Sequence, residues 1–164
     1  MKKRLLGLVL VCGLGFAAIG SAQTICGQPQ SYNLIAGQKH DAGDIVIGND
    51  ALYIYVTFFA QDGWLITETH VSAGLNLRDI SFGIPGRMPY KGVHNGVTTV
   101  SYAIPKTAFR GSTCGIIAAH AVVKKTNGNK TQEETAWGEG TKLGRNWAMY
   151  MGYCIKDCEA EPEG

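Results

Sequence analysis

Residues 45–73 read IVIGNDALYIYVTFFAQDGWLITETHVSA, and this stretch decides the fold class. β-branched and aromatic residues come in short runs, separated by Gly48-Asn49-Asp50 and Gln61-Asp62-Gly63. Both separators have turn composition: Gly takes a positive φ without steric cost, and Asn and Asp side chains hydrogen-bond to the backbone beside them. Residues 45–47 and 52–59 therefore read as a hairpin, and residues 64–73 extend it into a meander. Within 52–59, alternation puts Leu52, Ile54, Val56 and Phe58 on one face and Tyr53, Tyr55, Thr57 and Phe59 on the other. Apolar groups on both sides predict a central strand covered on both faces.

Working outward, residues 74–96 lose this pattern to Gly, Pro and isolated aromatics (Phe82, Pro85, Pro89, Tyr90). A connection that long either crosses between sheets or carries function. Residues 97–104 resume the strand signal and stop at Pro105; residues 115–125 form another strand, residues 126–133 a polar hairpin tip, and residues 147–155 a closing strand. Helical periodicity is missing after residue 22. The expectation is an all-β fold, an antiparallel β-sandwich of about six to eight strands.

The start of the chain has a different character. Lys2, Lys3 and Arg4 precede an apolar run to about Ile19 and then Gly20, Ser21 and Ala22, the order of a secretory signal. The run is short for a span of about 30 Å of hydrocarbon. Cys12 follows the bulky Val11, a poor setting for a lipid anchor. The reading is a signal peptide at residues 1–22, one domain at residues 23–164, and a bacterial-type secreted or cell-envelope protein with no membrane span in the mature chain. Without residues 1–22, the fifteen Lys and Arg fall to twelve against thirteen Asp and Glu, a net charge of about −1. That leaves no clustered basic footprint, so nucleic acid is not an expected partner.

Four of the five cysteines remain: Cys26, Cys114, Cys154 and Cys158. An even number in an exported chain predicts disulfides, in any of three pairings. A zinc site lacks a second closely spaced ligand pair beside Cys154 and Cys158. Asp41, Asp44, Asn49 and Asp50 offer oxygen ligands but lack the dense spacing of a calcium loop, and turn chemistry explains them equally. No cofactor or metal is expected.

Three polar and aromatic segments carry the candidate chemistry. Glu68 and His70 lie two apart, and strict alternation places them on one face with Trp64 and Ile66. His120 shares a face with Ile116, Ala118 and Val122, so Glu68, His70 and His120 would converge if their strands are neighbours. Such a set serves as a two-His-one-carboxylate metal site or as an acid/base pair, although local hydrogen bonding accounts for most such residues in strands. Glu134 and Glu139 flank Trp137, with Trp147 and Tyr150 following, a composition suited to stacking a sugar ring. The competing role for Trp64, Trp137 and Trp147 is core anchoring. G-x-S-x-G, H-E-x-x-H, a Walker loop and a dinucleotide fingerprint are missing from the sequence.

Together, Tyr55-Val56-Thr57, Asp62-Gly63-Trp64, Thr67-Glu68-Thr69-His70, residues 118–123, Glu134-Thr135-Ala136-Trp137 and Asn146-Trp147-Ala148 resemble a β-rich module that recurs in secreted bacterial proteins. The resemblance runs from about Ile35 to Tyr153 and implies export and a β-rich fold without naming a reaction. The functional expectation is an exported, non-catalytic surface or extracellular module that binds protein or glycan through Trp137, Glu139, Trp147 and Glu134. The alternative is a metal-dependent or acid/base hydrolase built on Glu68, His70 and His120.

Overall fold

A computed structural model describes residues 24–158; the expected signal peptide lies outside them. The strands are β1 (Gln30–Ala36), β2 (His40–Asn49), β3 (Tyr53–Ala60), β4 (Trp64–Gly74), β5 (Tyr90–Val97), β6 (Thr99–Pro105), β7 (Cys114–Asn127), β8 (Lys130–Gly138), β9 (Thr141–Lys142) and β10 (Met149–Cys154). They form one antiparallel sheet in the order β5-β4-β7-β8-β1-β2-β3-β6. β10 pairs with the first part of β7, where β8 no longer reaches, and β9 pairs with β10.

The all-β antiparallel class is as the sequence predicts, and its opposing layers are walls of a single sheet that curls into a nearly closed, barrel-like form. The free edges β5 and β6 meet through side chains. Thr69 Oγ1 lies 2.8 Å from His94 Nε2 and 2.6 Å from Tyr102 OH, and Tyr90 stands edge-on to Tyr102 at 6.4 Å. At the corner, the Ala60 N–H donates to the Thr98 carbonyl at 2.8 Å.

The interior is filled by the inward set from every long strand, including Leu34, Ile45, Phe58, Ile66, Ile104 and Ile117, all fully buried. Burying each such side chain contributes about 1.5–3 kcal/mol. Two disulfides close the structure, Cys26–Cys158 across a separation of 132 residues and Cys114–Cys154 across 40. Cys114 and Cys154 face each other in the β7/β10 register. Taken singly, chain entropy assigns roughly 5 kcal/mol to the long loop and 4 kcal/mol to the short one. Tyr153 OH donates to Asn49 Oδ1 at 2.7 Å, tying β10 to β2, and burial with Tyr32 nearby pushes the Tyr153 phenol up to about 12.

Several local expectations are corrected. Ten strands replace six to eight, because β1 and β5 lie in stretches too polar to read as strands; β5 (YKGVHNGV) is a sheet edge within the supposed loop 74–96. The turn between β7 and β8 is tight, with Asn127 opposite Lys130, so most of the supposed polar tip is paired strand. β3 buries Ile54, Val56 and Phe58 but leaves Tyr53 and Phe59 exposed on its other face, and it sits next to the edge strand β6 rather than centrally. Asp41 and Asp50 hold turns: Asp41 Oδ1 accepts from Gly43 N at 3.0 Å, and Asp50 Oδ1 accepts from Leu52 N and Tyr53 N, each at 2.7 Å.

Candidate functional site on the outer face

The register of β4 decides the site. Ile66 pairs with Val123 and Glu68 with Val122, so Thr67 is an extra residue, a β-bulge, with its hydroxyl donating to the Val122 carbonyl at 3.1 Å. The bulge reverses the alternation. Trp64 and Ile66 point into the barrel before it, as do Thr69 and Val71 after it, while Glu68, His70 and Ser72 point outward. The expected shared face of Trp64, Ile66, Glu68 and His70 is thus split, although Glu68, His70 and His120 do come together.

They come together in a cross-strand row. Lys91 of β5, His70 of β4, His120 of β7, Trp137 of β8 and Ile35 of β1 are successive register partners. Directly opposed residues share a face. Glu68 Oε1 lies 3.1 Å from His70 Nε2, and His70 Nδ1 lies 3.2 Å from His120 Nδ1. The His120 ring meets Trp137 edge-on at 4.8 Å, and Trp137 meets Trp147 edge-on at 6.4 Å.

The outer face is buried here because two segments cover it: the β4–β5 connection, through Ile80 and Met88, and the approach to β10, through Ala148 and Met149. They touch at Gly83, whose φ is 68° and where a Cβ would lie 2.6 Å from Leu143 Cδ1 and 3.1 Å from Ala148 Cβ. Only glycine fits. His70 and His120 are buried, while the Glu68 side chain is 42 % exposed. Burial holds His120 down to about 4, with His70 beside it a further cause. Burial also lowers His70, against an upward pull from Glu68 and with a smaller downward push from Lys91.

The hydrogen-bond chain assigns the tautomers. Glu68 Oε1 accepts the Nε2–H of neutral His70, which leaves His70 Nδ1 to accept from His120 Nδ1–H. This is a carboxylate–imidazole–imidazole relay. Glu68 occupies the far side of His70 from His120, so the three do not share a metal corner, and among the described residues no group of three His, Cys, Asp or Glu side chains is placed to hold a metal ion. Ser72 lies two residues beyond His70 on the same face; its Oγ is buried and has no hydrogen-bond partner.

The remaining candidates divide. Trp137 is buried and Trp147 half-buried. Glu139 lies on the outer side, where it accepts from Asn33 Nδ2 at 2.8 Å. Glu134 pairs with Val123 of the inner wall, on the opposite face from Trp137, and accepts from Gln132 Nε2 at 3.0 Å. Glu134 and Glu139 therefore do not flank Trp137 on one face, and Glu134 takes no part in an outer sugar platform.

Trp147 is the common wall of two adjoining grooves. One, of about 220 Å³, is lined by Ile35, Gln38, Glu139, Lys142, Trp147 and Met149. The other, of about 420 Å³, runs from Gln38 and Trp137 past Gly83 to Arg145 and Asn146. Glu68, His70 and His120 line neither. Sequence reasoning missed Gln38, Lys142, Arg145 and Lys91; the usable signal was the polar run Gly144-Arg145-Asn146 immediately before an aromatic.

The chain matches no family model, no curated protein and no solved structure. Its two disulfides are the chemistry of an oxidising, extracytoplasmic compartment. Among the described residues, no helix is long and apolar enough to cross a membrane.

Proposed function

We propose that this chain is an exported, non-catalytic binding module whose Trp147 grooves take a glycan. The observation that carries this reading is the position of Trp147: a half-buried indole between two open grooves, with amide, carboxylate, ammonium and guanidinium groups around it from Gln38, Asn146, Glu139, Lys142 and Arg145. A flat apolar face rimmed by donors and acceptors suits a sugar ring, whose C–H face stacks while its hydroxyls pair at the edge. Trp137 supports the wall from beneath. The two disulfides support export.

The test is a glycan-array screen of residues 23–164, followed by titration of any hit. Trp147→Ala is expected to weaken binding about thirtyfold, the size of a hot-spot loss of about 2 kcal/mol, with the fold intact. Absence of any glycan hit, or binding unchanged in Trp147→Ala, defeats the reading.

The relay favours a second reading, an acid/base hydrolase using Glu68, His70 and His120. Against it stand the burial of both imidazoles and their absence from the lining of either groove.

A further inference from the structure

We propose that the connection between β4 and β5 is a docking loop that seats this protein on an anionic lipid surface. Eight large apolar residues are exposed among the described residues, and four of them fall within residues 75–84: Leu75 (39 %), Leu77 (39 %), Phe82 (53 %) and Ile84 (41 %). The same loop buries Ile80, Gly83 and Met88 against the sheet. Anchors and exposed apolar groups are thus interleaved, and the exposed ones are held outward by a fixed scaffold.

The scaffold is ordered by its own hydrogen bonds. Asp79 Oδ2 accepts from Leu75 N at 3.0 Å, Phe82 N donates to the Leu77 carbonyl at 2.8 Å, and Ser81 Oγ donates to the Arg87 carbonyl at 3.2 Å. Ser81 and Phe82 both have left-handed backbone, with φ of 56° and 50°. That conformation is unfavourable for a bulky residue, and the loop adopts it while leaving the Phe82 ring in water. The chain leaves that ring 53 % exposed, and an apolar phase outside the chain would cover it.

Charge selects that phase. Arg78, Arg87 and Lys91 are exposed on the same segment, and none of them is in an ion pair among the described residues. Asp79, the one acid within residues 75–91, is engaged by Arg110, which brings a further cation to the patch. Exposed apolar residues interleaved with arginine and lysine along residues 75–91, on a mature chain expected to carry a slight negative charge, match the interface of a bilayer rich in anionic headgroups. A soluble polyanion or an acidic protein would call for the cations but not for the exposed Phe82 and Leu77.

The test is co-sedimentation of oxidised residues 23–164, which contain the whole described fold, with phosphatidylcholine vesicles and with vesicles of phosphatidylcholine and phosphatidylglycerol. Binding is expected to the anionic vesicles only, and to fall as salt is raised. Arg78→Gln with Arg87→Gln is expected to weaken it about thirtyfold, from roughly 1 kcal/mol per charge. Leu77→Ser with Phe82→Ser is expected to weaken it at least tenfold at unchanged near-ultraviolet circular dichroism. Trp147→Ala is expected to leave it unchanged, so failure here is separable from failure of the glycan reading. No sedimentation, equal binding to both vesicles, or full binding by the Leu77→Ser, Phe82→Ser variant overturns the proposal.

Discussion

The inside of the barrel and the layer outside its β4–β7–β8 wall are both closed to water, yet they are built from different chemistry. The interior is almost wholly aliphatic and aromatic, filled from every long strand by the side chains that alternation, reset at the β4 bulge, turns inward. The outer layer holds an imidazole pair, an indole, an unpartnered hydroxyl and two methionines, and it is roofed by connections rather than strands. The interior makes the fold, and the outer layer spends part of that stability on an imidazole pair that responds to protons and on an indole, Trp137, that borders a groove.

Three measurements sharpen this contrast, and the largest effect belongs to the interior. Phe58→Ala is expected to cost about 3–5 kcal/mol by denaturant unfolding, with the same cost at pH 7 and pH 5, because what is lost is apolar burial in the barrel interior. A cost that changes with pH would mean that the two regions are not energetically separate.

The acid response belongs to the outer layer. His120 has its ordinary value of 6.5 in the unfolded chain and about 4 in the folded one, so below pH 6.5 the unfolded chain binds the extra proton. Stability is full above about pH 6.5 and declines as the pH falls toward 4, by about 3 kcal/mol at the lower end. His70 acts in the same direction. Thermal midpoints measured between pH 7 and pH 5 are expected to fall for the native sequence and to flatten in His120→Gln; equal slopes would remove the imidazole pair as the cause.

The smallest effect is a gain. Ser72 Oγ is buried without a partner, so Ser72→Ala removes an uncompensated desolvation cost and is expected to stabilise by about 1 kcal/mol. Destabilisation instead would reveal a hydrogen bond made by that hydroxyl.

Where the sequence was legible, a local rule sufficed. The β2–β3 hairpin and β4 follow from turn residues and alternation, and the pairing of Ile45 with Phe58 and of Ile47 with Val56 is the register those patterns require. The meeting of Glu68, His70 and His120 was readable as a condition, that their strands be neighbours, and β4 and β7 meet it. The face they occupy was not. One extra residue at Thr67 reverses parity, and no composition rule marks a threonine as a bulge. The edge strand β5 escaped for a related reason: paired on one side only, it needs no apolar run to be stable.

By itself the sequence determined the class of structure, the use of cystines and the short-range hairpins, because these depend on residues near one another or on composition. Which cysteines pair, which face Glu68 and His70 take, and the meeting of Gln38, Lys142 and Trp147 in one groove were decided only by tertiary structure. The physical reason is that a closed sheet brings together positions more than a hundred residues apart, and a one-residue change of register anywhere along a strand exchanges inside for outside.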